Sequence, residues 1–461
     1  MKRILAKESP KYLGKQIKLC GWVNSRRDHG KLIFIDLRDK SGIVQIVFPP
    51  EKYKSAQELR SEWILEIIGE VKKRPKGMEN PKIQTGQIEI KVIEMKVLAE
   101  AKTLPFSIES EGYEISENKR LEYRYIDLRR NRLLKNLKIR HKVNQYFRDF
   151  LGKEGFIEIE TPILTKSTPE GARDFLVPSR LEAGKFYALP QSPQQYKQLL
   201  MVAGIENYFQ IARCLRDEDP RGDRQAEFTQ LDIEMSFVTQ EEILDLVERL
   251  YISLIKKLFP EKKIQKIPFP KITYSEAMKK YKTDKPDLRK DKNNPNELAF
   301  CFVIDFPMFE EVKPLLSEKK WRAMHHPFTK PQTEDIEKIK KEPEKVMAYQ
   351  YDFVLNGSEI AGGSLRTTNF DILNAVFEVL GHTSKETKEK FKNYFDAFQY
   401  GTPPHGGIAP GIDRFLALIL NEPNIREVIA FPKTGDNRDL MMNAPSTISK
   451  EQLKELHLKN V

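Results

Sequence analysis

The stretch RDEDPRGDRQAEFTQLDIE, residues 216–234, changes character halfway. Its first half is charged and turn-forming, with Arg216, Arg221 and Arg224 interleaved with carboxylates. From Glu227 the even positions read Phe228, Gln230, Asp232 and Glu234, and the odd ones Thr229, Leu231, Ile233 and Met235. A period of two belongs to a strand, here with one apolar and one mostly polar face. Residues 208–216 also read as a strand, so the unit resembles a long-looped hairpin whose first strand Arg216 closes. Antiparallel sheets often wet one face, so on its own the polar face reads as hydrated surface.

Working outward, residues 132–155 space Leu134, Leu137, Val143, Phe147 and Phe150 at helical intervals and stop at Gly155. Further strands are expected at 156–160, 186–189, 300–305 and 349–355, and helices at 193–201 and 240–258. Runs of strands with interspersed helices predict an α+β domain on a largely antiparallel sheet. The first hundred residues differ: QIKLCGWVNSRRDHGKLIFIDLRDKSGIVQIVF gives three β-rich runs broken by turn signals, with more strands expected at 63–71 and 87–98. Five strands and one helical stretch at 53–61 suit a small Greek-key barrel of the oligonucleotide-binding (OB) type. The expected organisation is a barrel over 1–102, a linker or hinge over 103–131, and the α+β domain over 132–461.

A chain of 461 residues exceeds one ordinary core, and its net charge of +11 favours a polyanionic partner, nucleic acid above all. Cys20, Cys214 and Cys301 lie far apart without a CxxC pair, so neither a disulfide framework nor a thiolate zinc site is suggested. The N-terminus lacks the apolar core of a signal peptide and no apolar run approaches membrane-spanning length. A cytoplasmic protein is expected.

Two further stretches carry chemistry. In YQYDFVLNGSEIAGGSLRT, residues 349–367, Asn356-Gly357 signals a two-residue hairpin. That turn pairs Leu355 with Ser358 and Val354 with Glu359, which makes Asp352 the diagonal neighbour of Glu359. Two such carboxylates need a cation between them, either magnesium completed by phosphate oxygens or a lysine or arginine. In PPHGGIAPGIDRFLALIL, residues 403–420, a glycine-rich turn runs into an apolar helix that starts with Asp413 and Arg414. A helix N-terminus with an arginine can take an anion, and a tight packing turn explains the glycines equally well. No GxxxxGKS/T loop is present.

Together FQIARCLRDEDPRGDRQAEFTQLDIEMSF, HGGIAPGIDR and the helix leading into FIEIETPIL resemble motifs 2, 3 and 1 of class II aminoacyl-tRNA synthetases. TPEGARDFLVPSR, QSPQQYKQLLM, MHHPFT and QYDFVLNGSEIAGGSLR narrow the resemblance to aspartyl-tRNA synthetases of bacterial type, over nearly the whole chain. The resemblance implies ATP-dependent formation of aspartyl-adenylate and transfer of the aspartyl group to tRNA. By it Arg216 and Arg414 are catalytic, and Glu170, Gln194, Lys197, Arg216, Asp232, His325 and Arg366 surround the aspartate. Arg216, Asp217, Glu218, Gln225, Glu359, Gly411, Ile412, Asp413 and Arg414 hold ATP, with Asp352 and Glu359 as ligands of Mg2+. Arg27, His29, Phe34, Gln45 and Glu89 meet the anticodon.

Histidine at position 29 accompanies members that charge both tRNA(Asp) and tRNA(Asn), so a non-discriminating enzyme is expected, one that needs an amidotransferase partner. Motif 1 implies a C2 homodimer. One departure stands out: the domain that bacterial relatives insert between motifs 2 and 3 is missing near 290–296. The rival readings are an asparaginyl-tRNA synthetase, an ammonia-dependent asparagine synthetase on the same catalytic fold, and a non-catalytic synthetase-like RNA-binding protein. The second lacks an anticodon barrel, and intact arginines at both phosphate motifs oppose the third.

Overall fold

The computed structural model describes residues 1–30, 32–167, 171–312, 320–383, 385 and 392–459. Two compact units divide the chain, Met1–Ser107 and Ile108–Val461.

In the first unit, strands Gln16–His29, Leu32–Asp39, Gly42–Phe48, Ile64–Lys73 and Ile88–Ala99 close into a barrel. The third and fifth strands pair parallel and close it, while the other pairs are antiparallel. Alternation decides which side chains face inward: Ile33, Ile35 and Leu37 join Val44, Ile46, Leu65, Ile67 and Ile90 in the core. Phe34 and Asp36 therefore face outward. The helix expected at 53–61 is only Tyr53–Ala56.

The second unit is built on an eight-stranded sheet. In spatial order its strands are Lys271–Thr273, Phe300–Pro307, Met347–Leu355, Ser358–Leu365, His405–Pro410, Glu227–Ser236, Asn207–Leu215 and Ile157–Glu158. All pairs are antiparallel except the two at its edges. One face packs on helices Asn131–Lys153, Gln240–Leu258 and Ile412–Ile419, burying Leu231, Ile233, Tyr351, Phe353 and Ile408 against Phe147, Leu250 and Phe415. A capping box starts the second of these helices: the Thr239 hydroxyl accepts from the Glu242 N–H and the Glu242 carboxylate accepts from the Thr239 N–H.

Within the stretch 103–131 expected as a linker, the chain from Ile108 onward belongs to the second unit. Its arginines look like solvated charge in the sequence, yet Arg120, Arg124 and Arg130 are buried. Arg124 and Arg130 grip the Asp127 carboxylate at 2.8 and 2.7 Å, and Arg120 holds Glu427 at 2.6 Å. Buried charges persist only when paired in this way. At 282–296, where the inserted domain is missing, the chain makes a short connection. Arg289 pairs with Asp287 at 2.8 Å, and Glu297 accepts from the N–H groups of Lys290 and Asp291.

Candidate active site

The sheet face opposite the helices carries the polar residues. On Glu227–Ser236 the odd residues Leu231 and Ile233 enter the core, so Asp232 and Glu234 project from the other side. That side is not wet: both are 0 % exposed. Helix Gln194–Val202 places Gln194, Lys197 and Gln198 on one face, all three buried.

Lys197 Nζ donates to Asp232 Oδ1 at 2.5 Å and lies 3.2 Å from Glu234 Oε2. Arg366 grips Glu234 in a fork, Nε to Oε1 at 2.9 Å and Nη2 to Oε2 at 3.1 Å, while its Nη1 donates to Ser364 Oγ at 2.6 Å. Burial raises the Glu234 pKa, but the nearby charges of Arg366 and Lys197 outweigh it and pull the value down to about 2. Asp232 is held less firmly. Burial lifts its pKa above the ordinary value, and its Oδ2 has no hydrogen-bond partner among the described residues. The pocket thus balances two cations against two anions while leaving one acceptor oxygen and part of a guanidinium unused.

The adjoining cleft, a cavity of about 240 Å³, is lined by Arg216, Glu218, Gln225, Phe228, Glu359 and Arg414 among others. The Arg216 guanidinium lies 5.1 Å over the Phe228 ring and makes no ion pair among the described residues. Gln225 accepts from the Lys433 N–H at 2.9 Å, which leaves its buried Nε2 unpartnered. Arg414 donates to the Glu359 carbonyl and pairs with Asp223 at 3.3 Å. The motif 2 loop turns tightly, with Arg221 and Arg224 exchanging backbone hydrogen bonds, and Arg224 reaches Glu218 at 2.9 Å. Arg221 is exposed.

The hairpin at Asn356-Gly357 has φ values of 50° and 81° and pairs Leu355 with Ser358 and Val354 with Glu359. A bulge beyond it sets Asp352 opposite Gly362. A Cβ on Gly362 would lie 3.3 Å from Asp352 Oδ1 and 3.7 Å from Glu359 Oε1, so both carboxylates border the same small space. Burial and then repulsion from Glu359 push the Asp352 pKa well above the ordinary value. His325 faces this pair, its Nε2 3.9 Å from Asp352 Oδ2. His326 is the histidine exposed to the field of Arg366, Lys197 and Arg216, and burial foremost holds its pKa down to about 3.

Other residues expected in the site are used differently. The Asp413 carboxylate is committed to protein partners: it pairs with Arg140 and accepts from the Thr229 N–H at 2.8 Å. The Ile412 side chain is core, whereas the Gly411 N–H bonds the Ile360 carbonyl at the cleft wall. Asp217 contributes backbone, its carbonyl accepting from Arg173 Nε at 3.1 Å. Glu170 lies outside the described residues. Glu234 was visible in the alternation as a neighbour of Asp232 on one face, but nothing local marked it as buried.

On the barrel, Arg27 pairs with Asp36 at 3.0 Å and approaches Gln45 at 3.5 Å, and Gln45 donates to Glu89 at 3.1 Å. The exposed His29 meets the edge of Phe34, with ring centroids 5.7 Å apart. Arg27 lies opposite Phe34 in the strand pairing, which brings these two groups of expected anticodon residues side by side on the barrel. Arg74 was missed: it is 8 % exposed with an unpartnered Nη2, in the field of Glu89, Asp36 and Arg27.

Residues 116–435 match the family of class II tRNA synthetases (D, K and N), and residues 17–98 match the OB-fold nucleic acid binding domain. The chain belongs to the class II tRNA synthetases. It is 42% identical to the aspartate–tRNA(Asp/Asn) ligase of Rubrobacter xylanophilus, over 97% of this chain and 94% of that one. To the aspartate–tRNA ligase of Staphylococcus carnosus it is 40% identical, over 97% of each. Within its class the chain is therefore an aspartate–tRNA ligase. The first alignment spans 572 positions against a chain of 461 residues, so more than a hundred positions fall opposite gaps, in keeping with the missing insertion. Solved structures share the fold: asparaginyl-tRNA synthetase of Pyrococcus horikoshii with asparaginyl-adenylate at TM-score 0.74 and 24% identity (94% of this chain, 98% of that one), and a putative aspartyl-tRNA synthetase of Leishmania major at 0.75 and 22% (94% of each).

Proposed function

We propose that the enzyme binds L-aspartate with its side-chain carboxylate on Arg366 and Lys197, activates it with ATP, and charges both tRNA(Asp) and tRNA(Asn). The carrying observation is the way Glu234 occupies Arg366. A guanidinium has five N–H groups. Glu234 takes one on Nε and one on Nη2, and Ser364 takes one on Nη1. One N–H on each terminal nitrogen is left to donate to a second carboxylate. A carboxamide would set its own NH2 against one of these donors, so the pocket rejects asparagine through an unmatched buried donor rather than through size. At the other end, the free Asp232 Oδ2 supplies an acceptor for the substrate ammonium.

In the first step the aspartate α-carboxylate attacks the α-phosphate of ATP. Both are anions, so the chain's task is positioning and charge neutralisation, not nucleophilic catalysis. Arg216, free of carboxylate partners among the described residues, stands where both groups meet, and Arg414 takes the far phosphate. The unpartnered Gln225 Nε2 reads the adenine end together with Glu218. Asp352 and Glu359 are suited to Mg2+, since burial and then their repulsion raise the Asp352 pKa and a cation relieves both. Among the described residues no three His, Cys, Asp or Glu converge as a complete cage, so phosphate oxygens would complete the coordination. Bound there, Mg2+ would neutralise phosphate charge and fix the triphosphate.

The Phe34, Gln45, Arg27, Glu89 and His29 side of the barrel reads the anticodon by stacking and base-edge contacts. His29, exposed against Phe34, supports the broader tRNA choice, which the printed name of the R. xylanophilus relative also carries. Such an enzyme needs an amidotransferase to correct aspartyl-tRNA(Asn). A homodimer is supported by exposed Ile157, Ile163 and Leu164 just after the motif 1 helix. A cytoplasmic location agrees with three unbridged cysteines. Aminoacylation of purified tRNA(Asp) and tRNA(Asn) tests the specificity: charging of both is expected, and charging of tRNA(Asp) alone would contradict it.

A further inference from the structure

Behind the pocket, three buried side chains form a chain of hydrogen bonds that begins at a backbone carbonyl. His405 Nδ1 lies 2.8 Å from the Pro403 carbonyl oxygen, and His405 Nε2 lies 3.0 Å from Gln198 Nε2. Gln194 Nε2 donates to Gln198 Oε1 at 3.0 Å. The direction of each bond follows from the first. A carbonyl only accepts, so Nδ1 carries the imidazole proton and a neutral ring offers Nε2 as an acceptor. Gln198 must then present its NH2 to the ring and its oxygen to Gln194. Gln194 in turn commits its NH2 to Gln198, and its own oxygen has no partner among the described residues.

We infer that His405 and Gln198 are positioning residues for the amino-acid site, fixing the Gln194 amide so that its oxygen faces the substrate ammonium. This rests on the resemblance given above, which sets Gln194 with Asp232 around the aspartate, and on the reading that Asp232 receives its amino group. The physical need is specific. A primary amide is nearly symmetric in shape and opposite in polarity at its two ends, so packing alone does not choose which end faces the ligand. An inverted Gln194 would point N–H groups at a cation. The chain removes that choice by anchoring the polarity to a carbonyl that cannot reverse. His405 is 1 % exposed and Gln198 0 %, so water does not compete for these bonds. Burial, the leading influence on His405, lowers its pKa and keeps the ring neutral; Glu234 opposes this, while Arg366 and Lys197 favour it.

The test compares aspartate with succinate, which keeps both carboxylates and lacks the ammonium. His405→Leu and Gln198→Leu are expected to raise the KM for aspartate in ATP–pyrophosphate exchange about fivefold, the scale of one net hydrogen bond, with kcat and the KM for ATP little changed. Inhibition by succinate should stay within about twofold of the parent, because no ammonium depends on the anchored oxygen. Gln198→Glu, an acceptor that still holds the Gln194 NH2, should bind aspartate better than Gln198→Leu, the reverse of the order that mere burial of a charge predicts. Parallel losses for aspartate and succinate, unchanged aspartate KM in both leucine variants, or Gln198→Glu weaker than Gln198→Leu would each overturn the inference. A separate control isolates the underlying reading: Gln194→Met with an unchanged aspartate KM would show that Gln194 does not meet the amino group at all.

Discussion

Glu234 is held between two buried cations, 2.9 Å from Arg366 and 3.2 Å from Lys197. Its pKa falls from the ordinary 4.5 to about 2. A depressed carboxylate contributes stability that is complete above the unfolded value and lost as pH drops through the folded one, so this contribution disappears between pH 4.5 and about 2. Glu234→Gln leaves both cations without a full counter-charge. A loss of about 3–5 kcal/mol in urea denaturation at pH 7 is expected, as for other broken buried pairs. His326 acts in the same direction on the pH axis, over a window that opens at higher pH. Its folded pKa near 3 lies below the ordinary 6.5, so the unfolded chain takes up a proton first and stability declines as pH falls below 6.5. The slope from this one group is about 1.4 kcal/mol per pH unit. In His326→Gln the decline of melting temperature between pH 6.5 and 5 should be shallower than in the parent.

At the scale of elements, the two strands that carry the chemistry were legible because their periods are local. Alternation placed Asp232 opposite the core, and Asn356-Gly357 fixed the register that brings Glu359 near Asp352. Burial was not legible. The polar face looks hydrated until helix Gln194–Val202 and the Ser358–Leu365 strand deliver Lys197 and Arg366 to it from distant parts of the chain. The same limit hid the Arg120–Arg124–Arg130 cluster. In MHHPFT the resemblance assigns His325 to the aspartate, and only the fold shows His325 turned to Asp352 and His326 to the cations. Strand His405–Pro410 adds a steric requirement. A Cβ on Gly407 would collide with the Ile233 carbonyl and the Glu234 carboxylate. Backbone cannot yield cheaply, and displacing Glu234 releases Arg366. Gly407→Ala should therefore reduce ATP–pyrophosphate exchange about a hundredfold or more, the scale on which small misplacements of a pocket cost rate. Exchange close to parental would show that the glycine is not needed for this approach.

At the scale of the whole molecule, recognition of RNA and activation of the amino acid reside in separate compact units. Variants of the barrel should therefore leave the tRNA-independent step untouched. Phe34→Ala is expected to lower kcat/KM for tRNA charging about tenfold, the worth of one stacked base, with pyrophosphate exchange unchanged. The short connection at 282–296 closes on itself through Arg289, Asp287 and Glu297. The central claim is that buried donors left free on Arg366 select a carboxylate over a carboxamide. ATP–pyrophosphate exchange without tRNA, run with aspartate and then with asparagine as sole amino acid, tests it most directly. Exchange with aspartate and a kcat/KM for asparagine lower by about ten-thousand-fold is predicted, the discrimination expected when a mismatch strands buried hydrogen-bonding groups. Comparable exchange with asparagine would contradict it.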